Sequence, residues 1–179
     1  MSDEQPRPRW AAIVLGAVAA VTVVVAAGRP WFNIDELGIP FRFTGLGAIV
    51  FRGPDAAAKS AHYTAMLDGA VGRPGLVTAG LAILALAALI VAVVARRIAG
   101  PAQLLAAALL GGAGVLAAVV WWRPTTMLGR FFTAGGFSDH TGLEAVRVEP
   151  GLIATALAAG VGAVVVGWLT ARRWSPRST

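Results

Sequence analysis

The sequence contains no cysteine, which excludes disulfides, thiolate metal sites and thiol nucleophiles together. Charge is also scarce: 13% of the 179 residues are charged and 57% are hydrophobic, where a soluble domain carries about 25% charged residues. Four blocks, residues 11–28, 74–95, 100–122 and 150–171, hold no Asp, Glu, Lys, Arg or His. Pumps and proton-coupled carriers keep an ionisable group at mid-membrane, so this chain alone does not read as an ion-coupled transporter. Inside the blocks the polar groups singled out are hydroxyls such as Thr22 and Thr155, which a helix satisfies with its own carbonyls.

Each block is long enough to cross the hydrocarbon layer, which takes about 20 helical residues. The expected fold is an all-α membrane protein: a four-transmembrane-helix bundle with a small extracytoplasmic α/β cap built from two loops. The expected boundaries are a tail at 1–9, spans at 10–28, 74–95, 101–122 and 150–171, a turn at 96–100, outer loops at 29–73 and 123–149, and a tail at 172–179. Pro101 suits the first turn of the third span, and the short turn before it forces an antiparallel helical hairpin.

The net charge of +6 does not point to nucleic acid, because no basic stripe interleaved with aromatics is present. Instead the basic residues report orientation. Arg7, Arg9, Arg96, Arg97, Arg172, Arg173 and Arg177 crowd the short segments on one side, while the other side spreads its basic residues over two long loops. The positive-inside bias therefore places both ends in the cytoplasm. All six tryptophans fall near span borders, as interfacial indoles do: Trp10, Trp168 and Trp174 on the cytoplasmic side, Trp31, Trp121 and Trp122 on the outer. Val25-Ala26-Ala27 resembles a signal-peptide cleavage site. Asp3, Glu4 and the long apolar run favour an uncleaved anchor instead.

In the first outer loop, Phe41-Arg42-Phe43-Thr44, a Gly45-Leu46-Gly47 turn and Ala48-Ile49-Val50-Phe51 read as a β-hairpin. Asp55 opens a helical run whose expected apolar face is Ala61, Tyr63 and Met66, with an exit at Asp68-Gly69. The second outer loop reads as turns around Gly135-Gly136, then a short strand over 145–148 that would pair with the hairpin. Phe41, Phe43, Ile49, Val50 and Phe51 are expected to share a core with Phe131, Phe132, Phe137 and the Val146–Val148 face. Small residues recur at Ala107, Gly111, Gly114 and Ala118 and at Ala156, Gly160, Ala163 and Gly167, a spacing that keeps one helix face narrow for close packing.

His62 with Tyr63 and Asp68, and Asp139 with His140 and Glu144, are the constellations closest to metal or acid-base chemistry. Neither has a ligand spacing such as two histidines one helical turn apart, and Ser138-Asp139-His140 lacks the surroundings of a nucleophile. No catalytic, cofactor-binding or metal-ligating residue is therefore assigned. Arg29, Arg123 and Arg130, near the outer interface, either snorkel or contact anionic headgroups.

The Arg29-Pro30-Trp31-Phe32 run after the first span, the Ala-Leu-rich second helix and Val146 to Gly151 leading into the fourth carry one resemblance. The layout is similar to that of small actinobacterial four-helix membrane proteins, of which the tryptophan-associated membrane protein family is the nearest named group. The resemblance implies topology and no defined activity. A claudin-like tetraspan shares the outline but requires cysteines absent here. The expected function is a non-enzymatic accessory or scaffold protein of a bacterial cytoplasmic membrane, with a larger membrane protein as partner. The alternative is a lipid or small-molecule transport component, with the outer loops as a lid over an apolar groove.

Overall fold

A computed structural model describes residues 7–38, 40–136 and 144–172. In chain order these form α1 (Arg7–Ala27), β1 (Pro30–Asn33), β2 (Arg42–Thr44), β3 (Ile49–Val50), α2 (Ala56–Met66), α3 (Pro74–Val94), α4 (Ala99–Trp122), α5 (Thr125–Ala134), β4 (Arg147–Val148) and α6 (Pro150–Ala171). The helices α1, α3, α4 and α6 are each long and apolar enough to cross a membrane. They close a ring in which α1 packs on α3, α3 on α4, α4 on α6 and α6 back on α1. A single 3₁₀ turn, Arg96–Ile98, joins α3 to α4. The first helix begins at Arg7, within the stretch expected as a tail; Pro8 sits in its first turn, where a missing N–H breaks no helical bond.

The bundle's side-chain distribution is reversed relative to a soluble protein. Its interior is lined by small residues such as Ala20, Ala82, Ala85, Ala106, Ala113 and Ala159, whereas Val18, Ile90 and Val164 are 59%, 63% and 70% exposed. Water would strip such a surface of stability, while lipid tails solvate it and leave close packing of small side chains to hold the helices together. The small-residue stripes do this between α4 and α6: Gly111 lies against Ala163, Gly114 against the backbone at Gly160, and Gly167 against Ala107.

One end of the ring carries a cap. Its four strands are antiparallel in the order β3-β2-β1-β4. The register places Ile49, Phe43, Phe32 and Val148 in one row across the sheet, and Val50, Arg42, Asn33 and Arg147 in the next. Successive residues of a strand face opposite ways, so the first row packs into the core and the second is polar except for Val50. The 145–148 segment was expected to pair with the hairpin directly. Instead β1, not anticipated from the sequence, lies between them, because Pro30–Asn33 follows α1 after only the Gly28-Arg29 turn and is held under the bundle's end.

A second difference concerns residues 125–134, expected only as part of the second outer loop with no helix and found as the amphipathic α5. Met127, Leu128, Phe131 and Phe132 are buried on one face of α5, and their i, i+1, i+4, i+5 spacing outweighs the single Gly129. Phe131 meets the Phe43 ring edge-on at 5.0 Å and Phe41 at 6.1 Å. Phe32, Phe43, Ile49, Leu128, Phe131 and Phe132 thus belong to one buried cluster, with Val146 and Val148 packed against it. Phe137 lies outside the described residues.

The docking face of α2 also differs from expectation. Ala61 and Met66 are exposed; the inward positions are Ser60, Tyr63, Thr64 and Leu67, a true i, i+3, i+4, i+7 set. The Ser60 hydroxyl accepts the Phe51 N–H at 3.1 Å and the Thr64 hydroxyl accepts the Ile49 N–H at 3.0 Å. One helical turn apart, the two hydroxyls satisfy β3, which would otherwise offer an open edge.

Trp31 departs most from its expected role. It was placed at the outer interface with a wet N–H, yet it is fully buried and its Nε1 donates to the Ala26 carbonyl at 3.0 Å. That carbonyl belongs to the last turn of α1 and also accepts the Arg29 N–H at 3.1 Å, so the indole adds a second donor at the helix end. The ring lies over Gly45, and the Gly45 carbonyl in turn accepts the Gly75 N–H at 2.7 Å. A Cβ at Gly75 would overlap the Gly45 backbone. This close approach seats the hairpin turn on the start of α3.

Candidate functional site

The polar row of the sheet leads to a concavity between α1 and α6. Arg42 Nη1 lies 3.1 Å from Glu149 Oε1, and Asn33 Nδ2 donates to the same oxygen at 2.6 Å. Arg42 also reaches Asp35 at 3.4 Å. Side chains of Arg42 and Glu149 are both 12% exposed, so this pair is partly desolvated and stronger than a surface pair. Glu149 immediately precedes α6, where a carboxylate also meets the positive end of the helix dipole. Arg147 pairs with Glu36 at 2.6 Å and extends the row.

Beneath this row, where α1 meets α6, lies a groove of about 510 Å³. Its walls are apolar, with Val21 and Val25 from α1 and Ala154 from α6; its rim carries Arg29, Arg42, Arg52 and Glu149. A second concavity of about 480 Å³, lined by Asp35, Gly38 and Pro40, shares Arg42 and Arg52 with the first. Arg29 and Arg52 are exposed, and neither forms an ion pair among the described residues. Both volumes fall in the range of small-molecule and lipid sites, roughly 300–1,000 Å³.

Of the sequence-derived candidates, only Arg29 belongs to this groove. Arg123 and Arg130 are exposed at the end of α4 and on α5 and do not line it. His62 is exposed and stacks edge-on against Tyr63 at 5.4 Å, Tyr63 leans into Phe41 and Phe51, and Asp68 pairs with Arg73. The three are not brought together around a common point. Glu144 is exposed, while Ser138, Asp139 and His140 lie outside the described residues. Arg42, Arg52 and Glu149 were not singled out. Arg42 carried a legible signal, a charge alternating with Phe41 and Phe43; the other two are brought near it only by the fold.

Gln103 was also overlooked. It is fully buried in α4, with its Oε1 3.3 Å from the Thr170 hydroxyl and its Nε2 without a partner among the described residues. Thr170 has a single hydroxyl proton and directs it to the Val166 carbonyl at 2.7 Å. A half-turn of the Gln103 amide presents Nε2 to the hydroxyl oxygen and gives both groups a bond.

Comparison with protein-family models and with curated proteins finds no match for this chain.

Proposed function

We propose that the chain is a non-enzymatic accessory or scaffold protein of a bacterial cytoplasmic membrane, with both ends of the bundle sequence in the cytoplasm and the cap outside. The observation that supports this reading is how the cap employs its charged groups. Asn33, Arg42 and Glu149 tie β1 and β2 to the start of α6, and Arg147–Glu36 ties β4 to the turn after β1. Charges engaged with one another hold a surface in shape; chemistry needs them aimed at a vacant point. A rigid presented surface on four apolar spans without ionisable residues suits a subunit that positions a larger membrane protein.

Extraction in a mild detergent followed by affinity capture tests the proposal. A larger membrane protein recovered reproducibly, and lost when the cap is disrupted by Gly75→Val, is the expected result. Recovery of a lone monomer across several detergents and after crosslinking in intact membranes would overturn it. The groove favours a second reading, a lipid or small-molecule transport component, since its apolar walls lie beneath a lid made by the loops.

A further inference from the structure

The two concavities that meet at Arg42 and Arg52 differ in character along one direction. The one between α1 and α6 is walled by Val21, Val25 and Ala154, and the one beyond the arginines by Asp35, Gly38 and Pro40. Val21 and Val25 are also 51% and 55% exposed on the outer surface of α1. The apolar slot is therefore continuous with the surface that a bilayer would cover. A ligand filling both parts needs a hydrocarbon end and a polar end, joined at the level of the arginines.

The charge at that junction selects among such ligands. Arg42 is already committed to Glu149 and Asp35, whereas Arg29 and Arg52 stand at the rim with no carboxylate among the described residues. Two unneutralised guanidiniums, Arg29 just past the end of α1 and Arg52 in the loop between β3 and α2, attract a phosphate diester, and guanidinium matches phosphate bidentately. A soluble anion would meet the same arginines but leave the apolar slot wet.

We propose that this groove is a binding site for one anionic glycerophospholipid. An acyl chain lies between α1 and α6 along Val21, Val25 and Ala154, and the phosphate is held by Arg29 and Arg52. The site is independent of the scaffold reading: the lipid is retained whether it serves as a fixed structural ligand or as cargo. Partner recovery is measured in membrane extracts and lipid retention on the isolated chain, so either proposal can fail alone.

Native mass spectrometry of the full chain tests it after release from nanodiscs containing equal phosphatidylglycerol and phosphatidylcholine. The expected result is one retained phosphatidylglycerol per chain, with phosphatidylcholine a minor species. An interfacial arginine contributes roughly five-fold to binding of an anionic lipid, so Arg29→Gln with Arg52→Gln should weaken retention by about 30-fold. Arg123→Gln with Arg130→Gln should leave retention unchanged. Ala154→Phe fills the slot with the arginines intact and should also expel the lipid. Thermal melts of variant and parent are compared after delipidation, where they should match because Arg29 and Arg52 carry no ion pair whose loss would disturb the cap. Equal loss in the two arginine pairs, retention of phosphatidylcholine equal to phosphatidylglycerol, or no effect of Ala154→Phe would each overturn the site. Displacement by millimolar glycerol 3-phosphate as readily as by lipid would show that a soluble phosphate, rather than a lipid, is recognised.

Discussion

Replacing Phe43 with alanine should loosen both long loops together. Phe43 is fully buried at the centre of β2, and its ring meets Phe131 of α5 at 5.0 Å and Phe41 at 6.3 Å, both edge-on. Truncating a buried phenylalanine costs about 3–5 kcal/mol, a figure that includes the cavity left behind. Each aromatic pair is worth about 0.5–1.5 kcal/mol beyond area burial. At 1.4 kcal/mol per factor of ten, opening of the cap should become about 10²- to 4 × 10³-fold more frequent. Amide hydrogen exchange in nanodiscs reads this directly through two reporters far from Phe43 in sequence. The Gly72 N–H donates to the Met127 carbonyl and the Glu149 N–H to the Trp31 carbonyl, both at 2.8 Å. If the cap is one cooperative unit, both amides and that of Ile49 accelerate by similar factors while the middle of α3 is unchanged. Acceleration confined to residues 42–51, with Gly72 and Glu149 as slow as before, would refute a shared core.

Three further outcomes follow from particular contacts. Gly75→Ala should lower the melting temperature by several degrees because its Cβ meets the Gly45 backbone, whereas Gly80→Ala, which meets open space in α3, should be neutral or stabilising by up to about 1 kcal/mol; equal effects would mean the hairpin turn is not seated on α3. Gln103→Leu should change the detergent melt by less than about 1 kcal/mol, since interhelical polar contacts in membranes average about 0.6 kcal/mol, and a drop of several kcal/mol would assign the amide a larger role. For topology, Lys59→Cys should react with an impermeant maleimide on intact protoplasts and Arg97→Cys only after lysis, with no native thiol to compete; labelling of Arg97→Cys in intact cells would reverse the orientation.

The cap shows where local pattern stops being informative. Hydrophobic alternation marked the 41–51 hairpin, and apolar content marked its need for cover by the second loop. Neither signal identified β1, because Pro30–Asn33 has too few residues to show a period and becomes a strand only between two partners. The same limit applies to Trp31: an indole after an apolar span has the composition of an interfacial anchor, and only the carbonyl of Ala26 and the hairpin turn above it make it a core residue. The face of α2 was misread at Ala61 and Met66 because apolar character alone was taken to mark the inward side. The hydroxyls that matter there, Ser60 and Thr64, are recognised by the edge they satisfy.

By itself the sequence determined the four long helices, the tight turn between the second and third, and the small-residue faces of α4 and α6. Each of these depends on residues close in the chain or on a repeat that one helix carries alone. The tertiary structure decided the strand order, the docking of α5 and the groove rimmed by Arg29, Arg42, Arg52 and Glu149. Those residues come from four separate stretches, and their charges gather at one groove only when the sheet spans the ends of α1 and α6.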